Sequence, residues 1–476
     1  MSFARLAALS GALYVVFSSS ALISSDALAG GAAGSRAPSG DYADRIIVQY
    51  RDDVVRTQSQ NDRVAAALAI RFGAQTGVAI RHHRHTGGGE HVLHLGGFYS
   101  GAWAREIARR VAQDPDVLFA EADIWMHPLQ TAPVGPNDPR FKEQWDMSSA
   151  TVGINAPAAW AITKGSPTVV MAVLDTGIRP HSEFGTRILP GFDFIRSTTA
   201  GNDGNGRDSD ATDPGDFCPP SSPTSSWHGT HVAGTMGATG DNGVGVAGIN
   251  WVSKILPVRV LGKCGGATSD IADGVRWAAG LAVPGVPSNQ NPAKVLNLSL
   301  GGTGACGTTM GNAVKAINAA GAVMVVAAGN SNTNVSTATP ANCAGVIAVA
   351  ATSRVGGRAS YSNFGTLVKI AAPGGDTSTG AANGILSTLN SGTTTPGLDS
   401  YAMYQGTSMA TPHVAGVVSL MFSVKPTLTP TQVLQILQSS ARKFPTRTGR
   451  DCTTTTCGAG MLDAAAAVRA AKAVTP

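Results

Sequence analysis

The sequence predicts an α/β protein, in which a parallel sheet carries helices on both faces and is preceded by a small ferredoxin-like α+β unit. The apolar run 169–174 stops at Asp175, as a buried parallel strand does when its carboxyl end presents a functional side chain. Similar runs alternate with helical patterns up to a last helix over 464–473, which is typical of a parallel sheet. Two glycine-hinged helix starts, at His228 and Ser408, complete the pattern.

The amino-terminal segment, residues 1–29, is predicted to be a signal peptide. Arg5 supplies the positive start, an apolar core follows, and Ala27-Leu28-Ala29 is a small-x-small cleavage site. A membrane anchor is the alternative, but serines interrupt the core and no positive stop follows it. We therefore expect a secreted, extracellular protein with no stable membrane anchor.

A linker over 30–40 leads to the predicted ferredoxin-like unit, which runs from about residue 41 to about 130. Strands are expected over 45–50, 90–95 and 117–123, and helices over 62–72 and 101–113. Six of the ten histidines lie here, namely His82, His83, His85, His91, His94 and His127. A metal site is conceivable, but a strand places His91 and His94 on opposite faces. The alternative, a solvated basic loop around residues 81–85, is the interpretation we favour.

The larger unit contains the segments that indicate chemistry. The sequence predicts strands over 169–174, 254–261, 295–300, 323–328 and 346–350, and helices from 228, over 268–279, over 308–320, from 408 and over 464–473. Asp175, His228 and Ser408, each at the edge of an apolar element, would supply an orienting acid, a base and a nucleophile. Ser408 could equally cap a core helix, and its own segment does not separate the two interpretations.

Three segments resemble the signatures of the subtilisin-like serine proteases, the subtilase family. They are Asp175-Thr176-Gly177, the stretch His228-Gly229-Thr230-His231-Val232-Ala233-Gly234-Thr235, and the stretch 406–416 around Ser408. The resemblance implies a serine endopeptidase with a triad of Asp175, His228 and Ser408. It also implies that Asn330, at the end of the apolar run 323–328, is the side-chain donor of an oxyanion hole.

The same resemblance implies how the chain is divided. Residues 30–132 would be a propeptide that aids folding and inhibits the enzyme, and residues 133–476 would be the peptidase domain. The chain would be made as a zymogen that processes itself through an acyl-enzyme on Ser408. We expect a monomeric mature enzyme that acts on proteins or peptides.

Substrate contacts are also implied by position in the family. The two walls and the floor of the primary pocket would come from Ser299, Leu300, Gly301, Ala327, Ala328, Gly329 and Ala338. No charged residue falls in these segments. We therefore expect broad specificity, with large apolar residues favoured before the scissile bond.

Two calcium sites are predicted. The acidic stretch 202–216 has the alternating Asp, Asn and Gly composition of hard-cation loops, with a solvated loop as the alternative. Its candidate ligands are Asp208, Asp210, Asp213 and Asp216. The resemblance implies a second site at Asp138, Glu183 and Asn242.

The six cysteines all lie in the larger unit, and export makes disulfides the default state. Six cysteines allow fifteen pairings. The prediction chosen here is sequential pairing of Cys218 with Cys264, Cys306 with Cys343, and Cys452 with Cys457.

The charge and the motifs of the sequence argue against three other functional classes of protein. The formal charge of +5 over 476 residues, without a basic stripe, argues against nucleic-acid binding. A serine esterase would carry a Gly-x-Ser-x-Gly turn with its histidine last in the chain, and neither feature is present. A binding protein that has lost activity would need a change at Asp175, His228, Asn330 or Ser408, and all four residues are present.

Overall fold

The computed structural model describes residues 42–51, 58–124, 135–446 and 448–475. The predicted signal peptide, the linker over 30–40, His127 and the predicted boundary between propeptide and peptidase domain at 132–133 lie outside these ranges. The described residues form two compact units that separate between residues 130 and 131, and each unit is described by itself.

The first unit has the order strand, helix, strand, strand, helix, strand. Its elements are β1 (Tyr42–Tyr50), α1 (Gln58–Thr76), β2 (Arg81–His85), β3 (His91–Ser100), α2 (Gly101–Val111) and β4 (Val117–Ala122). The sheet order is β2-β3-β1-β4, and the paired strands are antiparallel. This is the predicted ferredoxin-like pattern, with Phe72, Leu93 and Ile107 in one core between helices and sheet.

One part of the first unit differs from the sequence prediction. Residues 81–85, interpreted above as a solvated loop, form the edge strand β2. Its pairing with β3 shifts register between His82 and Arg84, which indicates a bulge. A bulge reverses the alternation of side chains beyond it, so His82 and His85 lie on the same side of the sheet although they are three residues apart.

The second unit alternates strands and helices along most of its length. Its helices are α3 (Trp145–Ser148), α4 (Ala156–Trp160), α5 (Thr198–Gly201), α6 (His228–Gly237), α7 (Thr268–Ala278), α8 (Thr308–Ala319), α9 (Thr407–Val424), α10 (Pro430–Ser439) and α11 (Ala464–Lys472). Its strands are β5 (Val170–Asp175), β6 (Phe192–Asp193), β7 (Lys254–Arg259), β8 (Val295–Leu298), β9 (Gly302–Thr303), β10 (Val323–Ala327), β11 (Ala338–Thr339), β12 (Ile347–Thr352), β13 (Ile370–Pro373), β14 (Ile385–Asn390) and β15 (Asp399–Tyr404).

Seven of these strands form one sheet in the order β13-β12-β10-β8-β5-β7-β6, and all neighbours are parallel. Both faces are covered, because alternate residues of each strand enter different cores. Met171 and Val173 pack with α6, α9 and α11, whereas Ala172 and Leu174 pack with α7 and α8. The predicted α/β class, with helices on both faces, is confirmed.

Helix α9 runs through the first of these cores. Within the described ranges it is also the one helix long and apolar enough to cross a membrane by length and composition. Most of it, 83%, is buried inside the protein, as expected for a core helix. Its position fixes Ser408, its second residue, close to the carboxyl end of the sheet.

The hairpin of β14 and β15, which the sequence analysis did not predict, lies against α6. Ser387 Oγ donates to the carbonyl of His231 at 2.7 Å, and Thr388 Oγ1 donates to the carbonyl of Thr230 at 2.8 Å. Gly234 leaves the space that the hairpin fills, because a Cβ there would collide with the side chains of both hairpin residues. The hairpin therefore supports the helix that begins with His228.

Candidate active site

Asp175 ends strand β5, the third strand from one edge of the large sheet. Its side chain is fully buried. Oδ1 accepts hydrogen bonds from the Thr176 amide and from His228 Nδ1, each at 2.8 Å. Oδ2 is buried and has no hydrogen-bond partner among the residues that the structure describes. The carboxylate therefore directs its charge at the imidazole.

His228 is the first residue of α6, and local backbone geometry brings it to Asp175. Trp227 has a left-handed conformation with φ of 50°, which turns the chain into the helix. Gly229 lies so close to Gly177 that a Cβ would collide with the Gly177 carbonyl oxygen. Its amide donates to Thr176 Oγ1 at 3.1 Å, which fixes the helix start to the end of β5.

The pKa of His228 reflects two opposing effects. Burial lowers it, because a charged ring loses its hydration. The negative charge of Asp175 and the hydrogen bond to it raise the pKa, and together with smaller contributions from Asp216 and Asp213 they outweigh burial. The net effect is a raised pKa, so this histidine accepts a proton more readily than an ordinary one.

Ser408 and Ser299 are joined by two hydrogen bonds. Ser299 Oγ donates to the Ser408 carbonyl at 2.7 Å, and Ser408 Oγ donates to the Ser299 carbonyl at 3.1 Å. Ser408 and His228 line the same cleft, whose volume is about 800 Å³. The hydroxyl of Ser408 is thus bonded to Ser299 in this structure, and catalytic hydrogen bonds are often made only once substrate is bound.

Two donors face one point beside Ser408. A Cβ built on Gly406 would lie 3.5 Å from Asn330 Nδ2 and 3.5 Å from the Ser408 backbone nitrogen. Gly406 has φ of 152°, which L side chains rarely adopt, so glycine keeps this point open. An amide side chain and a backbone amide close to one open point are the kinds of donor that the predicted oxyanion hole requires.

The cleft is lined by six of the seven predicted substrate contacts, namely Ser299, Leu300, Gly301, Ala327, Gly329 and Ala338. Ala328 is the exception and corrects the prediction. It is fully buried in the core beneath the sheet, because successive residues of an extended segment point to opposite sides. The pairing of β9 with β11 closes the floor, where Ala338 faces Thr303.

The sequence analysis missed several lining residues from other parts of the chain. They include Leu261, Gly266, Met310, Thr333 and Thr337. Asp216, predicted as a metal ligand, also lines the cleft. No local motif marks these positions, since only the fold brings them to the cleft.

The other histidines of the two motifs are packed and hydrogen-bonded inside the unit. His231 is stacked on Tyr404 with ring centroids 4.5 Å apart, and burial lowers its pKa to about 3. His413 is buried, with Nδ1 2.8 Å from the Met409 carbonyl oxygen and Nε2 2.9 Å from Asp146 Oδ2. Neither faces the cleft.

The residues predicted for the second calcium site fit a cation. Asp138 and Glu183 are buried, and burial raises the pKa of both carboxyl groups. Asp138 Oδ1 and Glu183 Oε2 have no hydrogen-bond partner among the described residues. Their other oxygens accept from the Asp241 amide at 2.6 Å and from the Val246 amide at 2.8 Å, within the loop that carries Asn242. Unpaired, buried carboxylate oxygens are the donors that calcium requires.

The acidic stretch proposed for the first calcium site is arranged differently. Asp208 Oδ1 accepts from the Asp210 amide at 2.7 Å, and Asp210 Oδ1 accepts from the Thr212 amide at 2.9 Å. Asp213 is buried and accepts from Thr176 Oγ1 at 2.6 Å, and burial raises its pKa to about 7. These carboxylates cap turns or support the end of β5.

Asp216 accepts from the amide and the hydroxyl of Ser226, both at 2.6 Å, and is turned towards the cleft. Other acids of the region pair with arginine, as Asp203 does with Arg259 at 2.6 Å and Asp270 with Arg207 at 2.6 Å. Within the described ranges no three acids lie close enough to share one ion. The expected calcium site of this stretch, with Asp208, Asp210, Asp213 and Asp216 as candidate ligands, therefore stays a prediction without a shared group of carboxylates behind it.

The cysteines pair sequentially, as predicted. The disulfides are Cys218–Cys264, Cys306–Cys343 and Cys452–Cys457. The first lies beside the cleft, because Cys264 is one of its lining residues. In the second, Cys343 belongs to the core on the α7 and α8 side of the sheet.

A buried carboxylate bonded to a histidine, a serine on the same cleft and two neighbouring amide donors define the site of a serine hydrolase. The chain matches the model of the subtilase family over residues 166–460. It therefore belongs to the subtilase family, and it is a serine endopeptidase.

Individual relatives agree with this assignment. An extracellular protease of Xanthomonas campestris pv. campestris is 47% identical over 90% of this chain and 73% of the relative. An extracellular basic protease of Dichelobacter nodosus is 38% identical over 92% of this chain and 72% of the relative. A solved protease structure from Pseudoalteromonas arctica is 53% identical, with a TM-score of 0.68 over 71% of this chain and 99% of that one.

Proposed function

We propose that this serine endopeptidase hydrolyses peptide bonds through an acyl-enzyme on Ser408, with Asp175 and His228 as the other members of the triad. The observation that carries the proposal is the 2.8 Å contact between His228 Nδ1 and Asp175 Oδ1 beside the cleft that contains Ser408. It orients the imidazole, so that Nε2 is the nitrogen available to the serine.

In the first half of the reaction, Ser408 Oγ attacks the carbonyl carbon of the scissile bond while His228 Nε2 accepts the hydroxyl proton. Asp175 stabilises the imidazolium and remains ionised. His228 then donates the proton to the leaving amine, and the bond between carbonyl carbon and nitrogen breaks. In the second half, water repeats the attack on the ester and Ser408 recovers its proton.

The oxyanion that forms in each half would be bound by Asn330 Nδ2 and the Ser408 backbone amide. Both donors are present before substrate binds, so little reorganisation is needed as the charge develops. Removal of one such donor typically lowers turnover by about 10²–10³-fold.

We infer that the cleft accepts an extended peptide and favours large apolar residues before the scissile bond. Leu300, Ala327, Met310 and Pro340 give it apolar surface. An unpaired charge buried there would lose its hydration without a partner. The broad specificity follows from recognition of the peptide backbone by the segment after β8.

We also infer that the chain is a secreted zymogen, with a signal peptide over 1–29, a propeptide over 30–132 and a peptidase domain over 133–476. The relatives described as extracellular proteases support secretion. The ferredoxin-like unit would act as the intramolecular inhibitor and folding aid. Asp138, Glu183 and Asn242 would hold one structural calcium ion, whose charge would offset the two buried carboxylates.

The experiment compares the full chain with a Ser408→Ala variant after expression in a host lacking other proteases. We expect the parent to shorten by self-cleavage, to hydrolyse casein and to react with a fluorophosphonate probe. The variant should remain full length, inactive and unlabelled. Ser288→Ala, which removes an exposed serine hydroxyl away from the cleft, is the matched control and should behave as the parent. Maturation or labelling of the Ser408→Ala chain would refute the proposal.

A further inference from the structure

Three histidines of the first unit meet at one end of its sheet. His82 and His85 come from β2, and His91 comes from β3, directly opposite His85. The bulge between His82 and Arg84 turns His82 to the side of His85, and their ring centroids are 5.4 Å apart. The ring of His91 lies 5.2 Å from that of His82 and 4.4 Å from that of His85.

The ring nitrogens are close enough to share one ion. One nitrogen from each ring lies within 4.8 Å of the others. His91 Nδ1 and His82 Nε2 are 3.2 Å apart. Two histidine ligands of one tetrahedral zinc ion are about 3.3 Å apart, given zinc–nitrogen bonds of about 2.0 Å. In the part of the chain that the structure describes, this is the one group of three potential ligands with such spacing.

A carboxylate lies beside the histidines, outside the group of three, and would have to move to become a fourth ligand. Asp62, on helix α1, has Oδ1 2.5 Å from His85 Nε2 and 3.8 Å from His82 Nδ1. Its side chain is more than half exposed, so it can adjust to an ion without disturbing the core. The group therefore joins α1 to the hairpin of β2 and β3.

The electrostatic state of the rings suits metal binding. His91 is buried against Tyr50, with ring centroids 4.7 Å apart, and burial lowers its pKa to about 4. Burial also lowers the pKa of His82. Neutral imidazoles keep a lone pair for a metal, and no protons need to be displaced from these two rings at neutral pH.

We propose that His82, His85 and His91 bind one divalent transition-metal ion, with Asp62 as the fourth ligand and zinc as the ion that fits. Imidazole and carboxylate together suit zinc, whereas calcium prefers sites made only of oxygen. The two remaining described histidines of the unit stay outside the site. His83 is exposed, and His94 Nδ1 accepts from the Gly96 amide at 2.9 Å.

The test is a calorimetric titration of zinc chloride into the full chain carrying Ser408→Ala, which keeps both units in one molecule. The same titration is made with His82→Gln and His85→Gln added together. The matched control instead adds His83→Gln and His94→Gln, which removes two histidines of the same unit from outside the group. Circular dichroism checks that each chain is folded.

We expect the parent and the control to bind one zinc ion that the His82→Gln/His85→Gln chain binds more than about 100-fold more weakly, since even loss of a partner behind the ligands costs up to about that factor. Cobalt added in place of zinc should give the visible absorption of a tetrahedral nitrogen and oxygen site in the parent and control alone. Equal zinc affinity in all three chains would overturn the proposal, and would leave only a hydrogen-bonded Asp62–His85 pair.

Asp62→Asn provides a second test that does not touch the buried histidines. Its expected effect is a loss of zinc affinity of about tenfold or more, because the carboxylate is a direct ligand. If the double histidine variant does not fold, the Asp62→Asn variant provides the deciding measurement. A zinc affinity equal to that of the parent would then overturn the proposed four-ligand site. Because every chain carries Ser408→Ala, the result is independent of proteolytic activity.

Discussion

Thr407 donates two hydrogen bonds to the same atom of Asn330. Its backbone amide and its Oγ1 each lie 2.8 Å from Asn330 Oδ1. With the oxygen held in this way, the amide group can only present Nδ2 towards the point next to Gly406. The residue before the nucleophile thus orients the side-chain donor of the oxyanion hole.

The Thr407→Val variant keeps the shape of the side chain and removes its hydroxyl. We expect turnover to fall about tenfold or more while KM changes less, because the variant loses the bond to Asn330 and also the one that the hydroxyl accepts from the Gly329 amide at 3.1 Å. This loss is smaller than that from removal of the Asn330 amide itself. Thr407→Ser retains the hydroxyl and should restore turnover. Steady-state kinetics on a peptide substrate measures this, and a rise in KM without loss of turnover would contradict the positioning role.

The pH dependence of kcat/KM should report the raised pKa of His228. The histidine must be neutral to accept the serine proton, so activity falls as pH drops through its pKa. Asp175→Asn removes the charge that raises this pKa and leaves the burial that lowers it. We expect the acid limb to move to lower pH, and turnover to fall by about 10⁴-fold. An acid limb that stays in place in this variant would contradict the assigned cause.

Calcium should stabilise the peptidase unit through Asp138 and Glu183. We expect added chelator to lower the melting temperature, and calcium at about 100 times its dissociation constant to restore about 2.7 kcal/mol of stability. Glu183→Gln should weaken this response, since it removes a ligand charge. Asp210→Asn, which changes an exposed acid of the other stretch, should respond to calcium as the parent does. A melting temperature that is insensitive to chelator would refute the proposal that these residues bind calcium.

The same two carboxyl groups predict that the stability of the protein depends on pH when a chelator has removed calcium. Burial raises the pKa of each above its value in the unfolded chain. The folded state therefore binds these protons more tightly, and stability is lost as pH rises through the raised pKa values. Thermal unfolding in chelator should show this decline above the usual carboxyl range, and saturating calcium should remove it. A flat profile in chelator would contradict the unpaired state of the two groups.

Substrate preference should follow the surface of the cleft. Among the described residues that line it, Asp216 is the only acid, and Lys and Arg are absent. We expect peptides with Phe or Leu before the scissile bond to exceed those with Asp or Arg by about 10–200-fold in kcat/KM. A peptide panel that varies this position alone provides the measurement. Preference for Arg would indicate that Asp216, not the apolar surface, governs the pocket.

The sequence by itself determined the class of fold and the three segments that carry the family resemblance, whereas it left fifteen cysteine pairings open and the structure gave the sequential one. These features depend on short segments, such as the run that ends at Asp175, in which neighbours along the chain largely dictate the local structure. Five of the seven parallel strands could be anticipated for the same reason, because their apolar runs are continuous and clearly bounded, and only their bounds shifted, as in β8, which ends at Leu298. The short edge strands β6 and β13 were not predicted.

Only the tertiary structure decided which distant side chains meet. The side chain of Ala328 points into the core because successive residues of an extended segment point to opposite sides. The acids of 202–216 separated because Arg259, backbone amides and hydroxyl groups satisfy them one by one. Asp138 and Glu183, which are 45 positions apart in the chain, each keep one buried carboxylate oxygen without a partner among the described residues. His82 lies beside His85 and His91 because one bulge reverses the side of the sheet to which its side chain points. The strict alternation of side chains that the sequence predicts for a strand gives no sign of this bulge.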